Sequence, residues 1–313
     1  MVLRVIGGMA LLLIAAVGYV VGIAPRWLRL TRLRIALPDL PDAWDGLRIA
    51  HLSDFHANAP LVTAGFLAHA KRTALRFDPD LVAITGDFFE NGRWSDTGEL
   101  YRRWPATTPV VAVLGNHDYR GGLDNLDYLL EQLCESDIHL LRNSAATLEL
   151  RGRRAWIAGV DDPHTDRHDV CKALAAVPAG EELLLFLTHS PVAVNELPVG
   201  RAWLILAGHT HGGQVRVWPS GQVPFIHLIR RLRGLPRRPD PPIYRGWSWE
   251  RGAVLIVSDG IGVSSLPIRF RTRPQVVLIE LNRAEPDSER ACDDVGRYVT
   301  DESGESRLSR WLT

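Results

Sequence analysis

Five apolar runs in this chain end in residues of the types that can bind metal. Residues 204–207 lead into Gly-His-Thr-His-Gly-Gly, which sets His209 and His211 two positions apart between glycines. In an extended segment, residues i and i+2 point to the same side. Both imidazoles can therefore meet an ion, and Gly208, Gly212 and Gly213 let the backbone come close. The pattern recurs. Residues 47–52 run into Ser53-Asp54-Phe55-His56, 81–85 into Gly86-Asp87, 110–114 into Gly115-Asn116-His117-Asp118, and 183–187 into Thr188-His189-Ser190. The set Asp54, His56, Asp87, Asn116, His189, His209 and His211 mixes carboxylate, amide oxygen and imidazole without thiolate. Such donors suit Mn²⁺, Fe²⁺ or Zn²⁺ better than a soft-metal site. Seven ligands exceed one ion and suit two that share a carboxylate. Paired ions roughly 3.5–4 Å apart can hold a hydroxide between them and clamp a phosphoryl group for in-line displacement.

The elements that must position these residues are legible as runs and periods. Short continuous apolar runs read as strands buried on both faces. Ligands in α/β sheets collect outside the carboxyl ends of such strands. Residues 63–77 read as a helix, as do 123–136, where Leu126, Leu129, Leu130 and Leu133 share a face. Residues 155–160 form a further strand ending in Asp161-Asp162-Pro163-His164, 170–177 a short helix, and 253–257 and 276–281 late strands. This alternation predicts an α/β fold with two packed sheets or one large one.

Composition bounds the rest. The chain has 313 residues, 46% hydrophobic and 23% charged, enough for one large domain with a substantial core. The formal net charge is zero, so nothing points to nucleic acid, and three scattered cysteines imply no disulfide framework. Residues 5–24 carry no charge and match the roughly 20 residues that span a bilayer. The competing reading is a signal peptide cut near Ala24, but the apolar stretch is long for one and Pro25 makes a poor site. Arg26, Arg29, Arg32 and Arg34 follow this stretch, and the positive-inside rule then leaves the domain in the cytoplasm, tethered to the inner membrane. The expected organisation is an anchor at 1–25, a basic juxtamembrane linker and domain entry at 26–46, the catalytic domain at 47–282 and a disordered acidic tail at 283–313. Phe225, Leu228, Ile229 and Leu232 fall at helical spacing among five arginines up to Arg238. This is the pattern of an interfacial helix, and a lipid surface is the expected partner. No protein partner is evident.

The blocks D-x-H, G-D, G-N-H-D, a lone His and G-H-x-H, in that order, resemble the calcineurin-like metallophosphoesterases. The resemblance spans residues 49–215 and extends towards 281. It implies a four-layer αββα sandwich, here preceded by one transmembrane helix. It also implies Asp54, His56 and His211 on one metal and Asn116, His189 and His209 on the other, with Asp87 bridging. By position His117 would face the leaving group, with Glu90 or Asp118 orienting it. The anchor, G-H-T-H-G-G-Q-V and the late block Ser258 to Phe270 resemble the family's membrane-associated branch. Some of its members act as UDP-2,3-diacylglucosamine pyrophosphatases in lipid A synthesis; others are membrane phosphodiesterases. The substrate implied is an amphiphilic phosphoester. In that branch a basic residue often follows the first Ser of the late block; here it is Asp259, which leaves Arg269 as the expected phosphate contact.

Overall fold

A computed structural model of the chain describes residues 1–181, 183–216, 241–284 and 299–301. In the buried runs successive side chains face opposite ways and both faces are apolar, so each strand has to be covered twice. In β2 (Leu47–Leu52), Leu47 and Ile49 enter one core while Ala50 and Leu52 enter another. β3 (Leu81–Thr85) and β4 (Val110–Val113) divide in the same way. They belong to a seven-stranded sheet that also holds β1 (Arg29–Leu37), β5 (Ile138–Leu140), β12 (Gln275–Arg283) and β13 (Val299–Asp301), in the order β13-β1-β12-β2-β3-β4-β5. A six-stranded sheet packs against it. Its strands are β6 (Ser144–Leu150), β7 (Arg153–Gly159), β8 (Leu183–Leu187), β9 (Ala202–Ala207), β10 (Gly246–Glu250) and β11 (Ala253–Val257), in the order β10-β11-β9-β8-β7-β6.

Helices cover the outer faces. α2 (Ala64–Leu75) starts at Thr63, whose side chain caps it by accepting from Phe66 N. α3 (Leu123–Glu135) buries Leu126, Leu129 and Leu133 on the first sheet, and the short α4 (Val170–Leu174) lies on the second. The result is the expected four-layer αββα sandwich. Its consequence for the site is directional. β2, β3 and β4 are mutually parallel, as are β7, β8 and β9, so six strands deliver their carboxyl ends in two parallel sets.

Two expected boundaries are corrected. Residues 26–46 are not a linker, because β1 pairs in parallel with β12 along all nine of its residues. Leu33, Ile35 and Leu37 point into the inter-sheet core while Arg32 and Arg34 face outward, a strict period of two in which the arginines occupy the solvent face. The tail is also tied in part to the domain: Val299 is buried and pairs with Ile35. The Phe225–Arg238 segment lies outside the described residues. Burying Leu33, Ile35 and Leu37 stabilises the fold by about 1.5–3 kcal/mol each. A chain beginning at Pro38 is therefore expected to lose its cooperative thermal transition, whereas one beginning at Trp27 keeps it. Thermal melting followed by circular dichroism compares the two.

The N-terminal helix is apolar and unburied. α1 (Val2–Gly18) continues through a π turn (Tyr19–Ile23) and a 3₁₀ turn (Ala24–Arg26), giving a run long enough to cross a bilayer, with none of its apolar window covered by protein. Its end is fastened to the domain. Ala24 and Pro25 are buried, Arg269 N donates to Val20 O at 3.0 Å, and Arg26 donates to Gly22 O and Leu61 O. The Arg273 guanidinium lies 4.3 Å from the centre of the Trp27 ring.

Candidate metal centre

The strand ends bring together the histidines and carboxylates that the sequence singles out. Asp54 Oδ1 lies 3.3 Å from His211 Nε2, which is 3.0 Å from His56 Nε2. Asp87 Oδ2 sits 3.2 Å from His56 Nε2 and 3.3 Å from His189 Nε2, between the two halves of the cluster. His209 Nδ1 is 3.2 Å from His189 Nε2. Asn116 Oδ1 is buried and makes no hydrogen bond. Imidazole nitrogens facing each other around two carboxylates, together with a buried amide oxygen lacking a donor, fit cations. The donors separate into Asp54, His56 and His211 on one side and His189 and His209 on the other, with Asp87 common to both.

The surroundings hold these donors in place. His189 Nδ1 donates to Thr85 O at 2.6 Å, which turns Nε2 towards the centre. The Ser53 hydroxyl bonds Asp54 Oδ2 at 2.5 Å, and Thr85 Oγ1 backs Ser53 while lying 2.9 Å from His51 Nε2. Gly208 packs so tightly on Ser53 and Asp54, and Gly115 on Asp87, that a Cβ at either would overlap them. Asp54, His56, Asp87, His209 and His211 all have positive φ, between 44° and 66°. Non-glycine residues adopt this region rarely and at a cost, and it persists where the surroundings over-determine it, above all at functional sites.

Protonation follows from burial and charge. Burial pushes the Asp87 carboxyl up, but His189 and His56 outweigh it and hold Asp87 well below its usual range. Burial pushes His56 down, and Asp87, Glu90 and Asp54 more than reverse this, raising it to about 9; His189 is raised by Asp87 in the same way. Burial, with His56 and Arg269 nearby, drives His211 down, so it stays neutral and able to ligate. Without ions, protons on His56 and His189 thus supply the positive charge the carboxylates require. Ions must displace those protons, so apparent metal affinity rises with pH.

The structure separates Glu90 from Asp118. Glu90 Oε2 sits between Nδ1 of His56 at 2.6 Å and Nδ1 of His117 at 3.0 Å, and Glu90 O also bonds His117 Nδ1 at 2.9 Å. Burial raises the Glu90 carboxyl, but its bonds to His117 and His56 bring it down to about 2. Asp118 instead accepts from the backbone N–H groups of Asp87, Phe88, Phe89 and Gly115, and so ties together the loops after β3 and β4. Asp118 is therefore a loop tie, and Glu90 is the carboxylate that touches the His117 ring. Arg269 is also corrected as a phosphate contact. It is fully buried, and its guanidinium donates to Asp259 O, Gly260 O and Gly262 O, bracing the loop that wraps Asp54 and Phe55.

Two neighbours were absent from the expected set. Asp162, fully buried at the end of β7, offers a carboxylate oxygen within 4.8 Å of donor atoms of His189 and His209. His164 stacks on His209 at 4.3 Å. Their signal was the Asp-Asp-Pro-His that closes the strand at 155–160, the same strand-then-ligand pattern as in the other five runs.

Residues 47–213, which hold every one of these expected ligands, match the family described as calcineurin-like phosphoesterase. The chain belongs to that family. It is 29% identical over 272 residues to the phosphodiesterase YaeI of Escherichia coli, covering 84% of this chain and 92% of that one. It is 26% identical over 312 residues to the UDP-2,3-diacylglucosamine pyrophosphatase LpxG of Chlamydia trachomatis, covering 82% and 89%. It is 28% identical over 268 residues to a transmembrane protein with a metallophosphoesterase domain from Danio rerio, covering 80% and 57%. As a calcineurin-like phosphoesterase the chain is a metal-dependent phosphoester hydrolase, and the exposed helix before its domain is long and apolar enough to cross a membrane.

Proposed function

We propose that this enzyme is a two-metal hydrolase of amphiphilic phosphoesters, working at the bilayer that holds its anchor. One observation carries the reading: the anchor ends on the site itself. Arg269 receives the helix end through Val20 O at 3.0 Å, and its Nη2 lies 3.4 Å from Nδ1 of His211. The metal centre thus lies one side chain from where the helix leaves the membrane, within reach of a lipid headgroup without extraction of the lipid.

Asp54, His56 and His211 would hold one ion and Asn116, His189 and His209 the other, with Asp87 available to both. Two such ions, for which we favour Mn²⁺ among Mn²⁺, Fe²⁺ and Zn²⁺, would supply Lewis-acid polarisation of the phosphoryl oxygens. His117, with Nδ1 held by Glu90, turns Nε2 outward and would give a proton to the departing oxygen from there. The Ser264 hydroxyl, 3.2 Å from that Nε2, fixes the ring's outward edge. The likeness to LpxG favours a pyrophosphate-linked lipid such as UDP-2,3-diacylglucosamine, and the arginines after the apolar helix favour a domain on the cytoplasmic face of the inner membrane. The likeness to YaeI supports a second reading, a phosphodiesterase of broader range on envelope lipids.

A panel with purified full-length protein and Mn²⁺ tests both, comparing UDP-2,3-diacylglucosamine, phospholipids and nucleotide diesters. Preferential hydrolysis of the first is expected. Equal rates on all three classes would support the broader reading, and turnover confined to soluble nucleotides would overturn the membrane reading.

A further inference from the structure

A chain of hydroxyl groups behind the metal centre begins at a buried histidine and ends on a metal ligand. The alternation that turns Leu47 and Ile49 into the inter-sheet core turns His51 the same way, and Leu81 and Ala83 set the same direction for Thr85 on the neighbouring strand. His51, Thr85 and Ser53 are all fully buried. His51 Nε2 is 2.9 Å from Thr85 Oγ1, Thr85 Oγ1 is 2.8 Å from Ser53 Oγ, and Ser53 Oγ is 2.5 Å from Asp54 Oδ2.

The protons give the chain a direction. The Asp54 carboxylate, and the Thr85 carbonyl at 3.2 Å from Ser53 Oγ, can only accept, so the Ser53 proton is committed to them. Thr85 must then donate to Ser53, which uses its one hydroxyl proton. Towards His51 it can only accept, so His51 carries its proton on Nε2. The other nitrogen agrees. Nδ1 is buried and meets no hydrogen-bonding group among the described residues, so a proton there would have no acceptor. Burial brings His51 down to about 3, so the ring is neutral. An orphaned lone pair in an apolar core costs stability, and leucine would fill the same strand position without that cost.

The direction acts at Asp54. Its Oδ2 is tied back by Ser53, while Oδ1 faces His211 Nε2 at 3.3 Å. Without a donor at His51, Thr85 Oγ1 becomes a competing acceptor for the Ser53 proton, and the hold on Asp54 weakens. The Thr85 carbonyl also receives His189 Nδ1 at 2.6 Å, so one residue braces a ligand in each half of the cluster.

We propose that His51 is a positioning residue: as an Nε2–H donor it drives the Thr85–Ser53 chain one way and holds Asp54 with Oδ1 turned to the ion position it shares with His56 and His211. This role rests on the two-metal reading above.

Full-length protein, stripped of metal and titrated with Mn²⁺, tests it by electron paramagnetic resonance, which separates a lone Mn²⁺ from a coupled pair. Wild-type protein should show both binding steps. His51→Leu should weaken one step by roughly 10-fold, the low end for loss of an outer partner of a metal ligand, and leave the other unchanged. His51→Gln, whose amide N–H can take the donor's place, should recover most of that loss. Thr85→Val breaks the same chain, so its effect should not add to that of His51→Leu. Unchanged binding in His51→Leu, equal weakening of both steps, no recovery with glutamine, or additive effects would overturn the proposal. Should the leucine variant fail to fold, the wild-type protein decides. Nitrogen NMR of isotope-labelled histidine should show a pyrrole-type Nε2 and a pyridine-type Nδ1 for His51, assigned by their loss in His51→Gln. The reverse tautomer would overturn the proposal. A wild-type protein that never binds a pair of ions would instead fail the two-metal reading, and this role with it.

Discussion

Replacing Asp87 with Asn is expected to empty both metal positions and to cost more activity than any other single change in the chain. Its Oδ2 faces His56 on one side and His189 on the other, at 3.2 and 3.3 Å, so one carboxylate serves both halves of the cluster. Its Oδ1 accepts from His117 N at 2.9 Å, so the same side chain also sets the backbone of the proton-carrying residue. Asn keeps the shape and loses the charge, leaving His56 and His189 facing each other without the carboxylate that balances them. Losing an outer partner of a metal ligand typically costs roughly 10–100-fold in affinity or activity; loss of the shared ligand should exceed that. Elemental analysis and turnover of a simple diester check both parts. Wild-type metal content in an active Asp87→Asn protein would remove Asp87 from its bridging role.

His117→Ala should do the opposite in one respect: metal content stays and turnover falls by about 10²–10⁴-fold, as for loss of a general acid. His117 is almost fully buried, and its ring is held from Nδ1 by Glu90 and met at Nε2 by Ser264. The sign of its role is read from the leaving group. A nitrophenolate leaves without a proton, while an alkoxide does not, so the defect should be small for nitrophenyl esters and large for alkyl esters. Equal defects would mean that His117 holds the phosphate. Glu90→Gln should give a milder version of the same pattern, because it acts through His117 and His56.

Much of this was legible because strand ends advertise themselves. Asp54, His56, Asp87, Asn116, His189, His209 and His211 each follow an apolar run, and a run buried on both faces reads the same whatever it packs against. β1 was missed for the converse reason. Its arginines alternate with Leu33, Ile35 and Leu37, and four basic residues after an apolar helix read more naturally as a juxtamembrane signal than as the outer face of a strand. Asp118 could not be separated from Glu90 by spacing, since only the fold shows that one carboxylate receives four backbone N–H groups and the other lies between two imidazoles. Arg269 looked like a free cation in a late motif, and nothing in its neighbours tells that three carbonyls occupy it. Asp162 and His164 were in plain view after β7 but lay outside the family's blocks. The docking of the anchor end onto Arg269 joins residues almost 250 positions apart, which no local pattern encodes.

Anomalous scattering from crystals of the protein grown with Mn²⁺ addresses the central claim most directly. Two peaks are predicted, one among Asp54, His56 and His211 and the other among Asn116, His189 and His209, with Asp87 between them. A single peak, or manganese bound elsewhere while these side chains stay as they are, would contradict the two-metal account.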